Sequence, residues 1–296
     1  MMLDPITKKQ IGRFRSIKRG YFSFVILLAL IAFACLAELF VNNRAVVVRY
    51  QGKWYWPTYG AQISGKTFGL PYDYETNYRE LKQKFQKSAE SSPGDSSNFV
   101  LLPLIPFNAY ENDLVEGKFP PYAPSRNHIL GTDAAGRDIF ARLVYGFRIA
   151  IAFSLALLFF DYLIGLTVGS LMGYWGGWFD LIIQRLIEIW SNMPFLYVII
   201  IVSSIFVPSF WSLILIMAMF QWMGITWYIR TTVYKQKARE YVLAAQSLGA
   251  SNRRIIFKHI LPNSVSLIVT FIPFAVSGGI VALTSLDYLG FGLPAP

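Results

Sequence analysis

The sequence predicts an all-α membrane protein, and three observations carry that expectation. Of 296 residues, 54% are apolar and only 15% are charged, against about 25% charged in an average soluble domain. The apolar residues gather in long runs, and a helix needs about 20 such residues to cross a hydrocarbon core. The Lys and Arg residues cluster beside those runs.

Taken in order, residues 1–20 form a basic N-terminus with six Lys and Arg against Asp4 alone. The first span is expected at 21–41, whose only charge is Glu38. It is too long for the apolar region of a signal peptide, and no small-x-small cleavage site follows. Residues 42–148 are long and nearly balanced, with thirteen Lys and Arg against ten Asp and Glu. Four further spans are expected at 149–172, 193–209, 210–229 and 264–286, the first holding only Asp161 and the others no charge. The 193–209 and 210–229 runs meet around Val207, Pro208 and Ser209. Residues 230–263 carry seven basic residues against Glu240. The positive-inside rule places both basic clusters in the cytoplasm, and the four crossings between them agree. Long loops cross regardless of charge, so 42–148 is expected outside. The net charge of +10 thus reflects membrane topology and not nucleic-acid binding. Cys35 is the only cysteine and His128 and His259 the only histidines. An intrachain disulfide and a metal site are therefore not expected.

Three stretches resemble nucleotide-binding motifs. GAQISGKT, 60–67, fits G-x-x-x-x-G-K-[ST], a pattern whose backbone amides cradle phosphates at a helix start. It falls in the external segment, with Pro57 before it and Pro71 soon after, so a glycine-rich turn is expected there. LLFFD, ending at Asp161, and the SGG at 277–279 fall inside spans. No catalytic residue is expected.

The loop after the fourth span reads TTVYKQKAREYVLAAQSLGASNRRIIFKHILPNSV. Glu240 to Leu248 predicts a helix with Val242, Ala245 and Leu248/Gly249 on one face. Gly249 ends it in a left-handed conformation, and Ser251 caps a second helix with Ile255, Ile256 and His259/Ile260 as its apolar stripe. Pro262 marks the end. Basic residues here could hold the pair against anionic lipid. The small residues Ala244, Ala245 and Gly249 instead allow close approach by a partner protein.

The pattern AA-x3-G-x10-ILP resembles the EAA loop of permease subunits of ATP-binding-cassette importers. HILGTDAAGRDIFARLVYGFRIA (128–150) and LDYLGFGLP (286–294) are similar to blocks of oligopeptide and dipeptide permeases. RAVVVRYQGKWYWP (44–57) is similar to the external segment of the second permease of microcin-C-type importers. The resemblance covers nearly the whole chain. It implies a type I importer transmembrane domain with an extracytoplasmic insertion at 42–148 after the first span. A core permease domain would follow at 149–290, with a cytoplasmic coupling loop at 230–263. It implies a multi-pass protein of the bacterial inner membrane with a cytoplasmic N-terminus. Its partners would be a second permease in a heterodimer, two ATPase subunits that hold ATP and magnesium, a periplasmic substrate-binding protein, and lipid.

Carried onto this sequence, Glu240, Ala244, Ala245, Gly249, Ala250, Leu261 and Pro262 would couple to the ATPases. The motif's Glu slot holds Leu243 here, with the acid three residues earlier. ATP-driven closure of the ATPases would move the loop, and Pro262 would pass that motion to the fifth span. The family ends in a sixth span, whereas residues 291–296 end this chain.

The external segment adds detail. RAVVVRY and KWYWP read as two extended runs about a turn at Gly52. Nine aromatics lie from Tyr50 to Tyr78, either filling a small core or facing a docked binding protein. Residues 83–98 read as a flexible polar link. In GTDAAGRD, Thr132 or Asp133 is expected to cap a helix from Ala134, with Ile139, Leu143 and Phe147 as its apolar face. Gly131, Thr132, Asp133, Gly136, Arg137 and Asp138 would support the outer surface or contact the binding protein, and Arg137, Asp138 and Arg142 would form a charge network. Asp161, costly within a span, is expected at an interface or on the translocation path. Gly165, Gly169 and Gly173 give its helix a close-packing face. Two other functions fit parts of the chain: a proton-coupled secondary transporter using Asp161, and a membrane-anchored receptor or scaffold using 42–148.

Overall fold

The computed structural model describes residues 15–91, 98–115 and 117–293. The basic residues before Arg15 and the final Pro294–Pro296 therefore lie outside the described residues. The chain divides into two compact units, Met1–Ile149 and Ala150–Pro296.

In the first unit, helix α1 (Lys18–Cys35) is apolar all round and leaves nearly all its side chains uncovered, as a lipid-facing span requires. Strands β1 (Val47–Tyr50) and β2 (Lys53–Tyr55) pair antiparallel. Gln51 and Gly52 between them have φ of 49° and 76°. Two positive φ values are what a tight hairpin turn needs to match strand twist, so the expected hairpin is present. Strand β3 (Phe99–Leu101) adds to the other side of β1, giving the order β2-β1-β3.

Helix α2 (Tyr78–Ser91) lays Tyr78, Leu81 and Phe85 against Val48, Phe68 and Val100. Residues 83–91 are therefore helical and not a flexible link; the i, i+4 pair Leu81 and Phe85 anchors them. Residues 92–97 of the expected link lie outside the described residues. The aromatics divide. Phe68 and Tyr78 are buried, and Trp54, Trp56, Tyr59 and Tyr74 are exposed. Burial, with help from the nearby Glu75 charge, pushes the Tyr78 phenol up to about 12.

The phosphate-loop look-alike is a structural turn. Gly65–Phe68 form one 3-10 turn capped by the Ser64 hydroxyl and ended by Gly69 at φ 72°. The Tyr72 ring fills the space beside Gly65, 2.5 Å from where a Cβ would lie. Lys66 Nζ sits 2.7 Å from Asp73 Oδ2, which with Ser64 holds the Asp73 carboxyl below the usual range.

Helix α3 (Ile139–Trp175) spans 37 residues. It begins five residues later than Ala134, because the Asp138 carboxylate and not that of Asp133 accepts from the third helical amide, Ala141 N, at 2.7 Å. Its first turns bury Ala141, Val144 and Tyr145 against Val41, Ile105 and Phe107. Leu143 is 58% exposed and Ile139 and Phe147 are only partly covered. The expected stripe therefore points away from this core, one step round the helix from the residues that pack.

In the second unit, α4 (Gly177–Ser191) and α5 (Phe195–Ile205) form a pair bent by 68° at Pro194. The third span expected at 193–209 is thus only eleven residues of regular helix, too short to cross alone. The missed partner, α4, carries Asp180, Gln184, Arg185 and Glu188, which hide it from a search for apolar runs. A capping box between Ser209 and Ser212 opens α6 (Phe210–Lys237). Helix α7 (Glu240–Ser247) and a second helical stretch, Asn252–Asn263, lead to α8 (Val265–Tyr288). Among the described residues, four helices, α1, α3, α6 and α8, are long and apolar enough to cross a membrane, and the bent pair makes up to five.

The glycine stripe packs α3 onto α6. A Cβ on Gly165 would meet Trp222 O at 2.9 Å, one on Gly169 would meet Thr226 O at 2.7 Å, and one on Gly173 would meet Arg230 O at 2.5 Å. Each step of four on α3 thus admits one turn of α6 backbone.

Candidate functional site

The 238–264 elbow starts where α6 ends. Arg239 is extended, and Glu240 lies in the first turn of α7, where an acid complements the helix dipole. Helix α7 turns Val242 and Ala245 inward onto Ile229, Val233, Ile255, Ile256 and Ile260. It turns Tyr241, Leu243, Ala244 and Leu248 outward, Leu248 being 88% exposed. Leu248 is therefore not on the face of Val242 and Ala245. The helix has already ended there, and its last turn swings the side chain out.

The helix closes in the paired pattern that a left-handed residue permits. Ala250 N donates to Ala245 O at 3.0 Å and Gly249 N to Gln246 O at 2.9 Å, with Gly249 at φ 77°. No atom lies within 4 Å of a Cβ built on Gly249. Ser251 Oγ then accepts from Arg254 N at 3.4 Å, as a cap. Ile255–Ile260 form a wide π turn that buries Ile255, Ile256 and Ile260. It stops just before Pro262, whose ring in a regular α-helix presses on the carbonyl four residues back. A bend at Ser264, tied to Ile260 O at 2.9 Å, separates this stretch from α8.

Seven residues were expected to act together here, and the structure sorts them by side. Glu240, Ala244, Gly249 and Pro262 lie on the exposed side. Ala245 is buried, and Ala250 and Leu261 are half-buried against the inner cluster. Of the three small residues expected to admit a partner, only Ala244 and Gly249 face outward. His259 is half-buried, with its main-chain oxygen accepting from Asn263 Nδ2.

The elbow rests on one further anchor, and α6 beside it is tied to α4 by another contact; the sequence reading passed over both. Tyr174, at the end of α3, is 4% exposed and lies in the same cluster. Arg230 of α6 makes a bidentate pair with Asp180 of α4, both bonds at 2.5 Å. The signal for both was the YWGGWFD break after α3. Gly176 and Gly177 take φ of 66° and 56° there, and the polar residues around such a break need partners.

The 131–138 motif is built differently. Gly131 sits at φ 76°, and a Cβ on it would meet Tyr122 O at 2.5 Å. A Cβ on Gly136, at φ 80°, would meet Asp113 O at 3.0 Å. Thr132 Oγ1, almost fully buried, accepts from Tyr122 N at 2.9 Å. Asp133 Oδ1 accepts from Ala135 N and Arg137 N at 2.9 and 3.0 Å, and its other oxygen pairs with the Arg137 and Arg142 guanidiniums. Burial opposes ionisation of Asp133, but the Arg137 and Ala135 amides and the Arg137 charge outweigh it and hold the carboxyl below the usual range.

The charge network is therefore centred on Asp133. Asp138 faces the other way, 2.8 Å from His128 Nδ1, while Asp113 lies 3.1 Å from Nε2. The expected grouping of Asp138 with Arg137 and Arg142 does not form, because Asp138 is committed to capping α3 and holding His128.

Asp161 lies in α3 and is 6% exposed, with Oδ1 lacking a hydrogen-bond partner among the described residues. Among the described residues, no group of three or more His, Cys, Asp or Glu is placed to hold a metal. Cys35 is free and exposed on α1.

Comparison with known proteins adds a family. The model for inner membrane components of binding-protein-dependent transport systems matches residues 165–296. The inner membrane ABC transporter permease protein YejE of Escherichia coli is 40% identical over 294 residues, covering 99% of this chain and 83% of that protein. The peptidoglycan transport system permease protein YejE of Agrobacterium fabrum is 35% identical, covering 98% and 80%. The dipeptide transport system permease protein DppC of Bacillus subtilis is 36% identical over 193 residues, 65% of this chain and 59% of its own length.

Proposed function

The chain belongs to the permease family of ATP-binding-cassette importers, and on that premise we propose that it is half of the translocation path of an ATP-driven peptide importer. Its cargo is a peptide or peptide-bearing fragment, in keeping with the dipeptide and peptidoglycan systems whose permeases it is similar to. The chain works in the inner membrane with its N-terminus and elbow in the cytoplasm and 42–148 outside. A second permease supplies the other half. Most side chains of α8 are uncovered, which leaves that helix free to meet it. ATP and magnesium sit on two separate ATPase subunits, and a periplasmic binding protein delivers cargo.

The observation that carries the reading is the elbow's outward face. Tyr241, Leu243, Ala244, Gly249 and Leu248 present apolar and small side chains over a packed underside. A helix that spends its inner face on its own bundle and keeps an apolar outer face suits a groove on a partner. Movement of the groove shifts a two-state equilibrium only through contacts that differ between the states, and the elbow supplies those contacts. The motion leaves the elbow through the Pro262–Ser264 bend into α8.

The test is cross-linking in membranes from cells expressing the whole transporter. Ala244→Cys, in a chain with Cys35→Ser, is expected to trap an ATPase subunit through a cysteine placed in its groove. Absence of any such product across a scan of groove positions, with the permease present at normal level, overturns the reading.

A further inference from the structure

The elbow has a second mechanical connection besides Pro262, and it converges on one oxygen. Tyr174 Oη donates to Asn252 Oδ1 at 2.9 Å and accepts from Gln246 Nε2 at 3.4 Å. Gln246 is on α7, before the Gly249 break, and Asn252 opens the stretch after it. The two arms of the elbow are thus pinned to one phenol. Gly249, at φ 77° with open space for its missing side chain, lies between them. The Gly249 N–Gln246 O and Ala250 N–Ala245 O bonds set its backbone locally, and the shared phenol adds a side-chain tie across the break.

Tyr174 is itself held firmly. Its ring is 4% exposed. Lys237 Nζ donates to its carbonyl at 2.5 Å and lies 5.3 Å from the ring centroid. The preceding residue, Gly173, is packed on the α6 backbone. Whatever moves the phenol therefore moves the ends of α3 and α6 together, since the glycine stripe leaves no gap between them.

We propose that Tyr174 is a positioning residue of the transport cycle: its hydroxyl ties the two arms of the elbow together across Gly249 and carries the elbow's movement into the α3–α6 pair. This rests on the reading of the elbow as the ATPase dock. Two outputs then leave one lever, one through Pro262 into α8 and one through Tyr174 into α3 and α6. Movement that reached α8 alone would slide it past helices that stayed still. Shared movement keeps the bundle in step with hydrolysis.

The experiment uses the full transporter in proteoliposomes and measures cargo imported per ATP hydrolysed. Tyr174→Phe keeps the ring and removes only the shared oxygen. It is expected to lower that ratio about threefold to tenfold, the size of one or two hydrogen bonds, in complexes normalised for bound ATPase. Asn252→Ala, at an exposed position, is expected to give a smaller drop, and the double variant no more than Tyr174→Phe alone. A wild-type ratio in Tyr174→Phe overturns the proposal, and so does a loss of folded protein in Tyr174→Phe together with a wild-type ratio in Asn252→Ala. Failure of the underlying reading looks different: Ala244→Cys would then trap no ATPase, whatever Tyr174 does.

Discussion

The 131–138 motif and the 238–264 elbow both stand out in the sequence, yet they use their residues in opposite directions. In the motif, Thr132 and Asp138 are almost fully buried and Asp133 collects two amides and two guanidiniums. Its side chains are consumed in shaping one turn and capping α3. In the elbow, the underside is packed by Val242, Ala245 and three isoleucines, while Ala244, Leu243 and Leu248 remain outside. A dense hydrogen-bond cluster makes a rigid clamp, because moving it would strand buried polar groups. The elbow, packed on its underside by apolar side chains and tied by few side-chain hydrogen bonds, has the build proposed for a lever. The pattern of a motif does not tell a clamp from a lever; the direction of its side chains does.

Substitution at the pivot separates the two most sharply. Gly249→Arg is expected to reduce uptake to background while the protein still inserts, since the side chain would project into the groove proposed to receive the elbow. A left-handed residue other than glycine also costs about 1 kcal/mol, so Gly249→Asn, which tolerates that conformation, is the control and should retain most uptake. Normal transport by Gly249→Arg would remove the lever.

The clamp should respond in stability before it responds in transport. Asp133→Asn is expected to lower unfolding stability in detergent by about 2 kcal/mol, since hydrogen bonds to a charged group contribute about 1.5–3 kcal/mol. The sign with pH follows from the depressed carboxyl. The stabilisation is complete above the ordinary value of 3.8 and disappears as pH falls through the lower folded value. In a thermal melt series carried into acid, the gap between wild type and Asp133→Asn should therefore narrow only as pH falls below 3.8. A gap that stayed constant from about pH 6 down through full acid unfolding would show that Asp133 acts through shape and not charge.

Lys66→Ala provides the baseline. Its pair with Asp73 is exposed on both sides, 63% and 70%, and water and salt screen such pairs so that they contribute little. Neither transport nor ATP hydrolysis by the complex should change. Loss of hydrolysis would revive the phosphate-loop match.

Much of this architecture was legible beforehand. The apolar runs fall on α1, α3, α6 and α8, although α3 begins ten residues before its run and α6 ends eight after, and Gly52, Gly249 and Ser251 announce their turns through backbone preferences alone. Errors arose where an element is not uniformly apolar. Helix α4 mixes Asp180, Arg185 and Glu188 into its turns, and α2 reads as a polar link until Leu81 and Phe85 meet a sheet that includes the unforeseen β3. The start of α3 was misplaced because Thr132, Asp133 and Asp138 are all competent caps, and only the three-dimensional positions of His128, Arg137 and Arg142 decide which carboxylate is free to cap.

By itself, then, the sequence determined what each segment must do with water: which runs enter lipid, where the chain turns, and that the 240–262 stretch is two helices about a glycine. Those properties follow from local periodicity and from the steric demands of single residues. The tertiary structure alone decided which side of each helix faces inward, that the glycine stripe of α3 receives α6, and that the Tyr174 hydroxyl meets both arms of the elbow. Gln246 and Asn252 lie more than seventy residues from Tyr174 along the chain, and no local pattern encodes a contact whose partners are brought together only by packing.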